Sequence, residues 1–298
     1  GDYYDVLPTA DGCWLGIGDV AGHGVTAGLV MLMVQSLVAV LVHEHPDARP
    51  AALLPGLNSV LVRNVRDRLG LGVEDLTGLR ALDVGCSAGF IADELALAGA
   101  TTHGVDIDEP GLAKARQRFG DRADFQVARG EDLPFADDSM DVVVLNHIYE
   151  HVVNPEAVVA DIHRVLRPGG VLYLGVGHKW QVLEPHHRLP LLSWLPQRLA
   201  DRYLRLAGKG DHYYEHYYTP AGLRRLFAAY DVWDYTLPVL ADPVAFAGDD
   251  IVPAWVSRLP ERALAALLPA VPTYVWLAFK GTGAPEGPDL AVAPRRVR

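Results

Sequence analysis

Cysteine is nearly missing from this chain: there are 2 in 298 residues, Cys13 and Cys86, in distant segments. That excludes a disulfide framework and a cysteine-built zinc cluster, and it predicts a reducing, cytoplasmic setting. Positive charge is also short. Lysine and arginine number 26 against 37 aspartates and glutamates, a formal net charge of −11. So acidic a chain repels a nucleic-acid backbone, and no nucleic-acid partner is expected. The longest apolar run, residues 25–42, carries Gln35 and Ser36 in its middle. It reads as a buried helix, and no membrane span is expected. The opening GDYYD lacks a basic stretch followed by an apolar one, so no leader is expected either. The composition that is present is ordinary for a globular protein, 50% hydrophobic and 21% charged, at a length that suits one large domain or two modest ones.

The chain is organised around LDVGCSAGF, residues 82–90. Residues 79–84 read as a buried strand, the small residues 85–89 as a tight turn, and the stretch with Ile91, Leu95 and Leu97 as a helix. Such a turn lets a ligand approach bare backbone N–H groups at the positive end of a helix. Asp83 sets a carboxylate beside that opening. A second strand, 101–105, ends in Asp106, where a nucleotide-binding α/β unit places its ribose-binding acid about 20 residues downstream. Turn, preceding acid and second acid together point to a nucleoside cofactor, and the same arrangement serves a dinucleotide.

Residues 1–70 have a different character. A turn at 9–12 leads into a strand at 13–20, then Gly22-His23-Gly24 breaks into an apolar helix at 26–42. A second helix carries Leu53, Leu57, Val60, Leu61 and Val65. GDYYDV at 1–6, GDVAGHGVTAGLVM at 18–31 and LNSVLVRNVRDRLG at 57–70 resemble the metal-dependent serine/threonine phosphatases of the stage II sporulation protein E type. The resemblance implies a Mn or Mg site built from Asp2 and Asp19, with the carbonyl of Val20 as a further ligand. The later half of that family's fold, with its additional aspartates, has no counterpart before the glycine turn begins. The segment is therefore expected to be a packing remnant. Its apolar helix, short of its usual cover, predicts self-association.

From residue 72 strands and helices alternate, the mark of an open parallel sheet. After the helix 110–119, strands are expected at 125–127, 141–145 and 171–176, with a helix at 155–166 closed by Arg167-Pro168-Gly169-Gly170. The last two strands are expected at 231–240 and 273–279. LDVGCSAGF, GVDID, GEDLPFADDSMDVVV and NHIYEHVVNPEAVVADIHRVLRPGGVLYL, in this order, resemble the class I S-adenosylmethionine-dependent methyltransferases of the family 11 type over residues 72–280. The resemblance implies an α/β fold: a Rossmann-like, mostly parallel seven-stranded sheet with helices on both faces, preceded by the partial α+β phosphatase-like segment. Domain limits fall at 1–70 and 71–281, and the Pro-, Gly- and Ala-rich stretch 282–298 reads as a disordered tail.

The same resemblance implies S-adenosyl-L-methionine as cofactor. Backbone amides of Gly85, Ser87 and Gly89 would meet its methionine end, with Asp83 ordering the loop. Asp106 would accept the ribose hydroxyls, Ile107 would pack on the adenine, and Gly130 and Glu131 would read the adenine edge. Asn146 would lie near the sulfonium. Ser87 stands where the family commonly has glycine, and Arg129 where it frequently has an acid. A dinucleotide fits the acid before the turn and the LRPGG block less well.

Between the fifth strand and a helix at 220–230 lies an insertion, 177–219, containing EPHHRLPLLSWLP and DHYYEHYY. The family places substrate-covering segments here. His147 and His186 are the candidate catalytic residues, because a histidine base suits neutral pH. The alternative for each is an aromatic cover whose tyrosines and histidines satisfy their polar tips at the surface. The spacings of His186-His187 and of His212 to His216 fit no common zinc pattern. The expected activity is methyl transfer to a small polar or lipid-like acceptor. The alternative is a phosphatase-like signalling protein with a regulatory methyltransferase-like domain.

Overall fold

The computed structural model describes residues 2–9, 12–19, 76–243, 252, 255–283, 290 and 292–297. Strands β1 (Asp2–Thr9) and β2 (Gly12–Asp19) pair antiparallel as a hairpin, with Asp2 opposite Asp19. The helices expected at 26–42 and beyond Leu53, the self-association assigned to them, and Val20 fall outside the described residues.

The methyltransferase-like part forms one sheet. Strands β3 (Arg80–Val84), β4 (Thr101–Asp106), β5 (Ala123–Val127), β6 (Met140–Asn146) and β7 (Leu166–Gly177) run parallel. A small separate hairpin follows, β8 (Leu183–Glu184) with β9 (Leu189–Pro190). Strands β10 (Tyr230–Asp234), β11 (Thr273–Lys280) and β12 (Arg295–Arg296) then complete the large sheet in antiparallel pairings, in the order β12-β10-β11-β7-β6-β3-β4-β5. Alternate residues feed separate cores, as the two-residue period of a strand requires. Leu172, Leu174 and Val176 of β7 join one cluster with Val158 and Ile162, while Val171 packs into another with Ala81 and Leu95. Both faces of the sheet are therefore covered.

Helices begin where the sequence supplies a cap and a proline. Asp108 accepts from the Gly111 amide at 3.2 Å ahead of α2 (Glu109–Phe119), which follows α1 (Phe90–Leu97). Asn154 accepts from Ala157 at 3.0 Å ahead of α3 (Pro155–Val165). In the insertion comes α4 (Gln197–Leu206), and Thr219 then accepts from Gly222 at 3.1 Å ahead of α5 (Pro220–Leu226). Each cap satisfies an otherwise orphaned amide, a contribution of about 1 kcal/mol. Among the described residues no helix is long and apolar enough to cross a membrane.

Three expectations need correction. The sheet has eight strands, not seven, because residues 295–296 of the stretch expected to be disordered pair with β10. Arg296 holds that strand through Asp231 at 2.6 Å. Residues 231–240 are not one strand: β10 ends at Asp234 and α6 (Thr236–Ala241) follows, with α7 (Glu261–Leu267) beyond it. The Asp234 carboxylate accepts from the Thr236 amide at 2.8 Å and turns the chain, and Pro238 has no N–H to offer a ladder. Finally, Arg167-Pro168-Gly169-Gly170 does not separate helix from strand. It lies inside β7 as an irregularity, with the register shifting between Met140 and Val142 of the neighbouring strand.

Candidate active site

The carboxyl ends of β3, β4 and β6 share one rim of the sheet, since Val84 pairs with Val105 and with Leu145. This is where open α/β sheets bind ligands. Asp83, Asp106 and Asn146 therefore come together there. The turn after β3 is tightly wound: Gly85 and Gly89 have φ of 78° and 82°, and Ser87 is left-handed too at 44°. Ser87 thus adopts the backbone conformation that favours the glycine more common at its position.

The turn's amides are already in use, which corrects the expectation that Gly85, Ser87 and Gly89 offer free N–H groups. Gly85 and Cys86 donate to the Val105 carbonyl at 2.8 and 3.0 Å, and Gly89 donates to Cys86 at 2.8 Å. Ser87 donates to Asp106 Oδ2 at 2.7 Å, and Asp108 donates to Asp106 Oδ1 at 2.8 Å. The second acid therefore pins the glycine turn, and the glycines serve close approach. A side chain at Gly85 would collide with Ile148, and one at Gly89 would meet Phe125 at 2.7 Å.

Asp83 is buried, and its Oδ2 has no partner. Burial, with the neighbouring Asp106 adding to it, pushes the Asp83 carboxyl up to about 7, against a backbone hydrogen bond from Ala92. Ile107, beside Asp106, is 73% exposed. A side chain at Gly130 would meet Val158 at 3.1 Å, and Glu131 lies 3.6 Å from Arg129. Asn146 leans over Gly175, where a side chain would collide with it.

The other half of the rim begins at His147, left-handed at φ 55°. A non-glycine residue in that region at the end of a strand marks a re-aimed side chain. Its Nδ1 lies 3.2 Å from Oε1 of Glu150, which is fully buried, while the ring itself is one-third exposed. The insertion 177–219 closes over this loop. The Tyr149 hydroxyl donates to the Gly177 carbonyl at 2.6 Å, and the His216 amide donates to the Glu150 carbonyl at 2.9 Å. His186 reaches the same place, with its ring 4.9 Å from that of His151. Desolvation holds His186, and the more exposed His151, below the usual imidazole range. Burial likewise raises the Glu184 carboxyl.

Sequence reasoning read Glu150 as structural, counted the tyrosines of the insertion only collectively as acceptor contacts, and missed Glu184 and Glu215 as members of this cluster. The density of DHYYEHYY hinted at Tyr213, Glu215 and Tyr217, while Glu150 and Glu184 stand in the NHIYEHVV and EPHHRLPLLSWLP stretches. Of the residues it did name, His212 lies apart, 3.2 Å from Asp201.

The methyltransferase domain family matches residues 82–174, and stage II sporulation protein E matches residues 9–81. A ubiquinone biosynthesis O-methyltransferase from Thiobacillus denitrificans is 33% identical over 155 residues, 51% of this chain and 63% of that protein. The chain thus spans less than two thirds of that relative. The protein of the same name from Xanthomonas oryzae pv. oryzae is 32% identical over 179 residues, covering 58% of this chain and 69% of its own length. The crystal structure of an S-adenosylmethionine dependent methyltransferase from Mesorhizobium loti covers 72% of this chain and 97% of its own at 19% identity, with a TM-score of 0.50. That likeness speaks for the fold alone. With a parallel sheet, a glycine turn between two acids and these relatives, the chain belongs to the S-adenosylmethionine-dependent methyltransferases, fused to a segment similar to stage II sporulation protein E.

Proposed function

We propose that the chain methylates a hydroxyl oxygen of a small polar or lipid-like acceptor held between the β6 loop and the insertion 177–219. The observation that carries this reading is the juxtaposition on one rim of the Asp83–Asp106 turn with His147, itself backed by a buried glutamate. The named relatives methylate oxygen in ubiquinone biosynthesis, which supports the choice of acceptor atom.

The donor half fits adenosylmethionine. Asp106 spends one lone pair of each oxygen on an amide and keeps others for the two ribose hydroxyls. The exposed Ile107 offers adenine an apolar face, flanked by Gly130 and Glu131. The buried, unpartnered Oδ2 of Asp83 is the acceptor for the ligand's ammonium. When bound, the cofactor supplies an electrophilic methyl group on a sulfonium, and Asn146 lies at the strand end toward it. The protein's contribution is alignment, which turns a bimolecular displacement into an intramolecular one. His147 takes the acceptor's proton at Nε2, with Glu150 fixing the tautomer through Nδ1. His186, on the cover, closes the acceptor's other side.

Calorimetry with adenosylhomocysteine tests this first, with saturable, roughly micromolar binding expected, about 8 kcal/mol. Binding of NAD in its place would overturn the reading.

A second reading, a phosphatase-like signalling protein, draws on the match at residues 9–81 and on the register that sets Asp2 opposite Asp19. Two carboxylates fall well short of the about six oxygen ligands that Mg²⁺ demands. Manganese-dependent hydrolysis of p-nitrophenyl phosphate is accordingly expected to be slight. Robust turnover lost in Asp19→Asn would put this reading first.

A further inference from the structure

The insertion 177–219 leaves the sheet and returns to it through a neck, and one hydroxyl holds both sides of that neck. Tyr149, in the loop after β6, is 1% exposed. Its hydroxyl donates to the Gly177 carbonyl at 2.6 Å, where the insertion begins, and accepts from the Tyr218 amide at a longer 3.4 Å, where it ends. Burial pushes the phenol above its usual range, so the group stays protonated and can donate. The two sides also meet directly, the Lys179 amide donating to the Tyr218 carbonyl at 2.8 Å. Other bonds fasten one side each. His178 Nε2 donates to the Val271 carbonyl at 2.6 Å, and the Tyr218 hydroxyl to Glu156 at 2.7 Å.

The loop that supplies this hydroxyl also carries the base of the acceptor half. Ile148 lies over the donor turn, where a side chain at Gly85 would collide with it. Glu150 sets Oε1 3.2 Å from His147 Nδ1, and its carbonyl accepts from the His216 amide at 2.9 Å. His147 itself stands at φ 55°. A non-glycine residue in that region is strained and persists only where its surroundings over-determine it. On one side the His147 amide is tied to the Gly175 carbonyl at 2.8 Å. Two residues further on, the Tyr149 hydroxyl pins the loop from the other side, to the neck of the insertion.

We propose that Tyr149 is a positioning residue, whose hydroxyl closes the neck of the acceptor cover and holds the His147 loop in its strained form. Resting on the reading of His147 as the acceptor's base, cover and base are then set by a single group. Opening the neck admits the acceptor and releases His147, and closing it returns both to place. Packing does not ask for the hydroxyl, since a phenylalanine ring would fill the same space in the core.

The test is amide exchange and histidine ring resonances by NMR on the full chain, wild type against Tyr149→Phe, without ligand. The Lys179, His216 and Tyr218 amides should exchange about 10-fold faster or more in the variant, the scale of a lost buried hydrogen bond. The Ser87 and Asp108 amides of the donor half should exchange as in the wild type, which reports that the fold is intact. The ring resonances of His147 should shift, a change that a hydroxyl bracing the neck alone would not produce. Wild-type exchange at the neck, or an unmoved His147 ring, overturns the proposal. Should Tyr149→Phe fail to fold, the wild-type chain decides. Its three neck amides then share one opening rate, the mark of a single cooperative unit, and three unrelated rates overturn the proposal. Calorimetry with adenosylhomocysteine on the same samples keeps the two readings apart. If no nucleoside binds while the neck loosens and His147 shifts, the methyltransferase reading falls and the role of Tyr149 in the fold stands. If the nucleoside binds and the neck is indifferent to the substitution, the reverse holds.

Discussion

On the donor half of the rim, the amides of Gly85, Cys86, Ser87 and Gly89 all have partners inside the protein. On the acceptor half, Glu150, His186, Tyr213 and Glu215 each bury a polar atom that has none. Both halves lie at the carboxyl ends of the same parallel strands, so topology does not separate them. The difference lies in what holds each together. The donor half is wound by hydrogen bonds made within the protein itself. Its remaining valences, on Asp83 and Asp106, match one ligand. The acceptor half is assembled from side chains of two segments and carries open donors and acceptors. Specificity for the acceptor accordingly belongs to the insertion, while the donor half can be shared among enzymes with different substrates.

The sharpest way to break this division is His147→Gln. If the halves are separate, turnover falls about 100-fold or more, the range for losing a general base, while adenosylhomocysteine affinity stays as in the wild type. Equal losses in both measurements would merge the halves. Asp106→Ala should do the opposite, weakening adenosylhomocysteine binding by about 1–3 kcal/mol in calorimetry. Because Asp106 also anchors the Ser87 and Asp108 amides, part of that loss should appear as increased exchange of those two amides with solvent. The smallest effect is the pH dependence of stability. The Asp83 carboxyl titrates near 7 when folded and near 3.8 otherwise, so between those values the folded state binds the extra proton. Its contribution to stability is present below that window and is lost as pH rises through it. Denaturation of wild type and Asp83→Asn at pH 5 and pH 8 should show a smaller loss of stability at the higher pH in the variant. An unchanged pH difference would mean that Asp83 is solvated.

The donor half was the more legible in the sequence, because its determinants are local. An apolar run, a turn of small residues and an acid about 20 residues on are all visible in one strand–helix–strand unit. Even there, sequence could not show that Asp106 holds the Ser87 amide, since that contact depends on how two strands are wound. The acceptor half resisted for a different reason. Glu150 and His186 stand far apart along the chain, and no periodicity announces their meeting. The two-residue strand at Arg295–Arg296 was hidden by its composition, and it is held by one aspartate on the neighbouring strand. The helix at Thr236–Ala241 was hidden by its β-like apolar residues, with Pro238 the one signal against a strand.

The pairing of β7 with β11 has a consequence in time. Gly177 pairs with Thr273, and every residue between them must leave the ribosome before that ladder can close. At 5–20 residues per second, that is a wait of about 5–20 s. The parallel strands β3 to β6, with both acids of the donor half, are complete before it begins. During the wait the side of β7 that β11 will occupy is an unpaired strand edge, the kind of surface on which a second nascent chain can add itself. The segment made in that interval is the acceptor cover. Assembly of the chain on the ribosome therefore passes through a stage that has a donor half and no acceptor half, and the yield of active enzyme depends on how well that bare edge is shielded until β11 arrives.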